Sequence, residues 1–301
     1  MTVVGEAHGR FAACAFCLRK TFFCSVLRVG NLLYLCPFAK GMEIYLLSGI
    51  VCLSIRLLRK RVLAPILKEN MKRADFVDYL SEQIEAVKRP HPVRVGIDGP
   101  DAAGKTRLAD DLAKNLELRQ ERADFKRQII RVMLDDFSNP KEIRYDLGRL
   151  SPRGYYEEAF NYEAFRNMVL TPMGPGGSRL FMDKLFDASN NMPYPSTFKR
   201  SHDEAILVVD GIFLFRPELI DKWDYKVFLD IDRQTALDRA MVRDRGRLGD
   251  AVMVRETYEK RYFPAQERYR FEAHPKRVAD LVVNNTDPEN PQIDSENFLG
   301  K

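Results

Sequence analysis

At 301 residues, 45% apolar and 30% charged, the chain has the composition of a globular protein, not a disordered or collagen-like one, and is long enough for one large domain or two small ones. The net charge of +5 sits at the start: residues 1–60 hold 8 Lys/Arg against 2 Asp/Glu, whereas from residue 61 onward 41 acids outweigh 40 bases, so no nucleic-acid partner is expected from bulk charge. All five cysteines lie in the first 52 residues, which excludes a disulfide framework for the remainder and suits a reducing compartment, here expected to be the cytoplasm.

Residues 1–60 read as an atypical, Cys-rich, aromatic extension. Cys14-Ala-Phe-Cys17 has a metal-ligand spacing, but no second pair follows and coincidence is the simpler reading. The longest apolar stretch, residues 44–55, would rise only about 18 Å as a helix, short of a ~30 Å hydrocarbon core, so a membrane partner is not expected. A weak anchor, an acid-poor targeting segment and an extension outside the folded domain all fit the segment. The last is favoured, with Met71 or Met42 as the functional start, because Phe76, Leu80, Ile84 and Val87 then open an amphipathic helix within residues 61–92.

From residue 93 strands and helices alternate. Strands are expected over 93–98, 128–135, within 205–215, over 225–231 and 279–286; helices over 105–117, largely over 154–170, over 233–245 with Asp232 as N-cap, and over 251–273, bent or broken near Pro264. Near-continuous apolar strands alternating with helices predict an α/β fold, a parallel sheet of about five strands covered on both faces, over residues 93–287, with 288–301 as a tail. Residues 174–195 form the one long irregular segment, a candidate functional loop.

Gly99-Pro-Asp-Ala-Ala-Gly104-Lys105-Thr106 fits G-x-x-x-x-G-K-[ST] between a predicted strand and a predicted helix, the setting of a phosphate-binding P-loop. Glycines let the backbone wrap an anion, the helix N-terminus adds positive charge, the lysine reaches the terminal phosphates and the threonine hydroxyl can hold Mg²⁺. Gly99, Asp101, Ala102, Ala103, Gly104, Lys105, Thr106 and Arg107 are therefore expected against a nucleotide, with ATP and Mg²⁺ as cofactors. Asp210 closes an apolar strand, the usual placement of a metal-side acid, and Asp135 follows another; in an open parallel sheet both face the loop. A helix cap or loop acid is the bland reading of Asp135 or Asp136, and Asp230 is read as such a residue. Arg239, Arg243, Arg245 and Arg247 ride the helix after the fourth strand; Arg239 and Arg243 share a face and could stabilise charge on a transferring phosphoryl group, a solvated basic face being the alternative.

Taken together, "GPDAAGKT", "LDDF", "GYYEEAFNYEAF", "VVDGIFLF", "KVFLDID", "DRAMVRDRGR" and "KRVADLVVNNT" resemble the uridine kinase and phosphoribulokinase family of P-loop kinases over residues 93–287, above all its bacterial uridine-kinase-like members with their "DGIFL" and "GPGGSR"-like segments. The resemblance implies a P-loop NTPase fold with a five-stranded parallel core and an Arg-bearing lid. It also implies ATP with Mg²⁺ as donor and a small-molecule hydroxyl as acceptor. It makes Asp135 the catalytic aspartate and a possible metal contact, Asp210 the metal-side acid with Thr106, and Arg239, Arg243 and Arg247 the lid, acting with Lys105. Tyr155, Tyr156, Tyr162 and Arg179 are candidate acceptor contacts, the alternatives being core packing for aromatics at helical spacing and loop closure for Arg179. The chain departs from the family in three places: Ser138 stands where nucleoside kinases carry tyrosine, Asp210-Gly211 replaces Glu-Gly, and the acceptor loop at 174–200 differs from the nucleoside-kinase form. The expected activity is phosphorylation of a nucleoside, uridine or cytidine at the 5′-hydroxyl, self-association being left open. Kinases of the same fold for pantothenate, a ribosylated vitamin or a sugar phosphate, and a P-loop ATPase without acceptor, are the alternatives. A thymidylate-kinase-like reading of Asp101 lacks that family's Asp-Arg-aromatic motif.

Overall fold

The computed structural model describes residues 71–296, apart from 122, 124 and 125, together with the strands Cys24–Val29 and Leu32–Pro37. The chain divides into two compact units, Met1–Lys60 and Arg61–Lys301. In the first, the two strands pair antiparallel with Val29 opposite Leu32. The Cys14 and Cys17 pair, the apolar stretch 44–55 and Met42 lie outside the described residues. No helix among the described residues is long and apolar enough to cross a membrane.

The second unit opens with α1 (Arg73–Ala86), whose stripe Phe76, Leu80 and Ile84 is buried at helical spacing. Each such side chain contributes about 1.5–3 kcal/mol on burial. Next come β1 (Val93–Asp98) and α2 (Lys105–Glu121), which buries Leu108, Leu112 and Leu116. β2 (Ile129–Met133) ends in a tight turn, Leu134–Asp136. α3 (Pro152–Glu158) is capped by the Ser151 hydroxyl, which accepts from the Gly154 N–H at 3.0 Å. A four-residue helix and a π-helical turn, Arg166–Leu170, complete the predicted helical stretch. The irregular segment after it folds into two short antiparallel pairs, Leu180–Phe181 with Lys199–Arg200 and Phe186–Asp187 with Met192–Pro193.

β3 (Ile206–Asp210) and β4 (Tyr225–Asp230) precede α4 (Arg233–Arg243), where the Asp232 carboxylate accepts from the Thr235 N–H at 2.8 Å as the N-cap predicts. Two short helices, Arg245–Leu248 and Ala251–Thr257, lead through a π-helical turn, Tyr258–Tyr262, into α5 (Phe263–Ala273). The interruption expected near Pro264 is this wide turn, which spares the helix the hydrogen bond that proline cannot donate.

β5 (Leu281–Asn284) and β6 (Gln292–Glu296) are the last elements among the described residues. The sheet order is β6-β5-β4-β1-β3-β2. Five strands run parallel, and β6 joins antiparallel with a bulge between Val282 and Val283. β6 lies in the segment expected as a tail; its polar sequence Gln-Ile-Asp-Ser-Glu alternates at an edge and carries no buried-strand signature. β1 and β3 are buried at every residue, as central strands covered on both faces must be. The chain reverses direction across the sheet at β1, so the loop after β1, the end of β3 and the turn after β2 meet at the carboxyl edge.

Candidate active site

The loop from Gly99 to Thr106 is locked by packing as well as by sequence. A Cβ on Gly99 would stand 2.4 Å from the Leu229 carbonyl, and one on Gly104 would stand 2.9 Å from the Asn285 amide nitrogen. Ala102 (φ +62°) and Gly104 (φ +88°) are left-handed, the wrapped conformation in which backbone N–H groups converge on an anion. Asn285 donates to the Ala103 carbonyl at 2.7 Å and Arg239 to that of Ala102 at 3.1 Å, so the loop is held from behind. Lys105 donates its ammonium to the Pro100 carbonyl at 2.8 Å, folded across its own loop. Arg107 points away and pairs with Glu289 at 2.8 Å on the exposed side.

Beneath the loop, the Thr106 hydroxyl donates to Asp210 Oδ2 at 2.6 Å. Asp210 is buried, and its other oxygen accepts from Arg131 at 2.5 Å; the same guanidinium reaches Asp110 at 3.0 Å. Arg131 escaped the sequence reading, although a guanidinium within the apolar run Ile-Ile-Arg-Val-Met was the signal for it. A hydroxyl and a carboxylate oxygen in contact are hard ligands of the kind Mg²⁺ takes beside phosphates, so these residues fit the ion.

Asp135 lies on the turn after β2 and is open to solvent in the cleft. Crowding by protein and the like charge of Asp210 push its carboxyl up to about 6, against the pull of Lys105. The neighbouring Asp136 is buried instead against the hairpin that follows, near Lys184 and the Tyr194 hydroxyl, and desolvation raises it. Ser138 is also buried, its hydroxyl donating to the Asp135 carbonyl at 2.8 Å.

The lid residues are partnered. Arg239 spends its donors on the backbone carbonyls of Ala102, Asn285 and Thr286. Arg243 and Arg247 share the buried carboxylate of Asp244, at 2.9 and 3.3 Å, and Tyr258 donates to the same group at 2.8 Å. Asp101 accepts from the Tyr155 hydroxyl at 2.9 Å and from Gln266 at 2.8 Å, which ties the loop to α3 and α5. One turn further on, Tyr269 donates to the buried Asp98, which also accepts from the Gly99 N–H at 2.6 Å; burial pushes Asp98 up to about 6.

Of the candidate acceptor contacts, Tyr155 is buried against Tyr262, with centroids 4.4 Å apart, and serves Asp101. Tyr156 packs edge-on to Phe213, and Arg216 lies over the rings of both Tyr156 and Tyr162 at 4.7 and 4.1 Å. Arg179 donates to the carbonyls of Pro172, Gly174 and Gly177 and pairs with Asp203 at 2.7 Å, which closes the 172–179 loop. The structure thus brings Lys105, Thr106, Asp135 and Asp210 to one cleft edge, with Asp101 linking it to α3 and α5, and directs Arg107, Tyr156 and Arg179 to other partners.

Uridine-cytidine kinase B of Dictyostelium discoideum is 28% identical over 199 residues, covering 64% of this chain and 74% of that protein. Uridine-cytidine kinase A of the same organism is 23% identical over 204 residues, and the matched part spans only 36% of its length. A possible uridine kinase from Bacillus stearothermophilus shares the fold, with a TM-score of 0.54 at 22% identity over 69% of this chain and 97% of that one. The model of the phosphoribulokinase / uridine kinase family matches residues 94–287, well over half of the sequence, and the chain belongs to that family.

Proposed function

We propose that the protein transfers a phosphoryl group from ATP to the 5′-hydroxyl of a nucleoside, uridine or cytidine. Family membership carries the coarser statement, an ATP-dependent kinase that works with a metal ion. The observation that supports the reading is the placement of Asp135, solvent-open at the cleft edge where Thr106 meets Asp210, with its carboxyl near 6. A base with that value is largely ionised at neutral pH and still able to take a proton from a hydroxyl. In this reading Asp135 accepts the acceptor proton. Lys105 would exchange the Pro100 carbonyl for phosphate oxygens, and Thr106 and Asp210 would hold Mg²⁺, which when bound would neutralise phosphate charge. Arg243 and Arg247 would leave Asp244 to face that charge, while Arg239 steadies the loop from behind. The nucleoside rests on what the relatives are named for.

One observation favours a second reading. Ser138 is buried and its hydroxyl is spent on the Asp135 carbonyl, so it offers a sugar nothing in place of the family's tyrosine. A pantothenate-, vitamin- or sugar-phosphate-type acceptor would suit such a site. The test is ATP-dependent phosphorylation across uridine, cytidine, other nucleosides, pantothenate, nicotinamide riboside, ribulose 5-phosphate and simple sugars. Turnover of uridine or cytidine well above the rest is the expected result. Preference for a non-nucleoside would keep the transfer and replace the acceptor, and ATP consumption indifferent to any acceptor would mark an ATPase.

A further inference from the structure

Thr106 and Asp110 lie one turn apart on the same face of α2, and Arg131 faces them from β2. Arg131 Nε donates to Asp110 at 3.0 Å, Nη2 donates to Asp210 Oδ1 at 2.5 Å, and Nη1 donates to the Val132 carbonyl at 2.5 Å. All three nitrogens are engaged, so the guanidinium is fixed from three sides. Its side chain is 20% exposed, and the Asp210 side chain only 6%. A charge-assisted bond in that setting sets the orientation of the carboxylate: Oδ1 faces β2, and Oδ2 faces the Thr106 hydroxyl at 2.6 Å.

We propose that Arg131 is a positioning residue that makes Asp210 present a single oxygen to the metal side of the phosphate loop, so that the site discriminates for Mg²⁺ and against Ca²⁺. Mg²⁺ demands a compact octahedral set and keeps its waters; Ca²⁺ takes six to eight oxygens and favours carboxylates that give it both of theirs. With Oδ1 occupied by a guanidinium, the second oxygen is denied to the larger ion. The positive charge of Arg131 also disfavours a divalent cation that comes without phosphates. Asp110 belongs to the device because it holds the far side of the guanidinium while lying on the surface, 60% exposed.

This inference rests on the reading of Thr106 and Asp210 as the metal side. The test is calorimetric binding of ADP to the full chain with Mg²⁺ and with Ca²⁺, beside Mn²⁺ binding without nucleotide followed by electron paramagnetic resonance. Arg131→Gln should narrow the Mg²⁺ over Ca²⁺ preference by about tenfold and let Mn²⁺ bind the nucleotide-free protein. Asp110→Asn, which leaves Arg131, Thr106 and Asp210 in place, should shift both readouts in the same direction by less, and carries the test if Arg131→Gln does not fold. Thermal unfolding of each variant separates a folded protein with altered selectivity from a damaged one. Unchanged selectivity in folded Arg131→Gln, or in Asp110→Asn where that alone folds, overturns the inference. If Asp210→Asn and Thr106→Val also leave metal-dependent ADP binding untouched, the metal-side reading itself has failed.

Discussion

Lys105 spends its ammonium on a carbonyl of its own loop, a contact that phosphate can displace without moving the backbone. Lys105→Ala should therefore keep the fold, with an unchanged melting temperature, and lower kcat by about 10²–10³. Asp135→Asn should abolish acceptor phosphorylation while calorimetric binding of ATP with Mg²⁺ largely survives. Asp136→Asn should loosen the hairpin at 186–193 and spare more activity; the opposite ranking would show Asp136 to be the base. In the proposed function the Asp135 carboxyl works ionised, and it is pushed up to about 6, so kcat/KM should rise with pH through about 6 and level above it. The sign for stability is the reverse. Asp135 and Asp98 are both raised to about 6, above the ~3.9 of an unfolded aspartate, so the folded form binds more protons between those values and loses stability as pH climbs through about 6. Asp135→Asn removes that loss at its position. Its melting temperature should exceed that of the wild type at pH 7, by roughly half as much at pH 5, and nearly match it below about pH 4.

At the scale of elements, the last parallel strand does more than close the core. Asn285, just beyond β5, is buried and donates to the Ala103 carbonyl. Asn285→Ala leaves that carbonyl unpaired, at about 1–3 kcal/mol, and should weaken ADP binding measured by calorimetry more than it lowers kcat at saturation. How far the sequence carried the fold follows from the same elements. β1, β3 and β4 were legible because continuous apolar runs between turn residues have few other homes, and the loop was legible because its spacing is dictated by phosphate. β6 was not, since edge strands need no apolar face, and neither were the two-residue strands at 180–200, which are too short to show a period of two. The partners of the site residues were hidden as well. Nothing in the spacing of Arg243 and Arg247 says that both turn to Asp244 between them and not to the cleft, and nothing in the sequence says that Asp101 faces α5, because that contact spans 165 residues of chain.

For the molecule as a whole, the end of the described chain is stitched to α1. The Arg73 N–H and guanidinium donate to the carbonyls of Glu289 and Pro288, and Lys72 donates to Asn290 at 2.8 Å. Ending the chain after Asp287 removes these ties and uncovers the edge of β5, so the truncated protein should melt at lower temperature and scatter light in a concentration-dependent way. The wide turn at Tyr258–Tyr262 has a different consequence. A π-helical turn takes in one residue more than an α-helical path requires and leaves the helix on either side in phase. The helical stretch from Ala251 to Ala273 therefore has slack of a single residue at this place. Losing the exposed Lys260 can tighten the turn into ordinary helix and keep Gln266 and Tyr269 on Asp101 and Asp98. The same loss inside α5 would swing everything beyond it by about 100°. Tolerance to a change of length between Ala251 and Ala273 is thus confined to one turn, the turn that supplies the Tyr258 hydroxyl to Asp244.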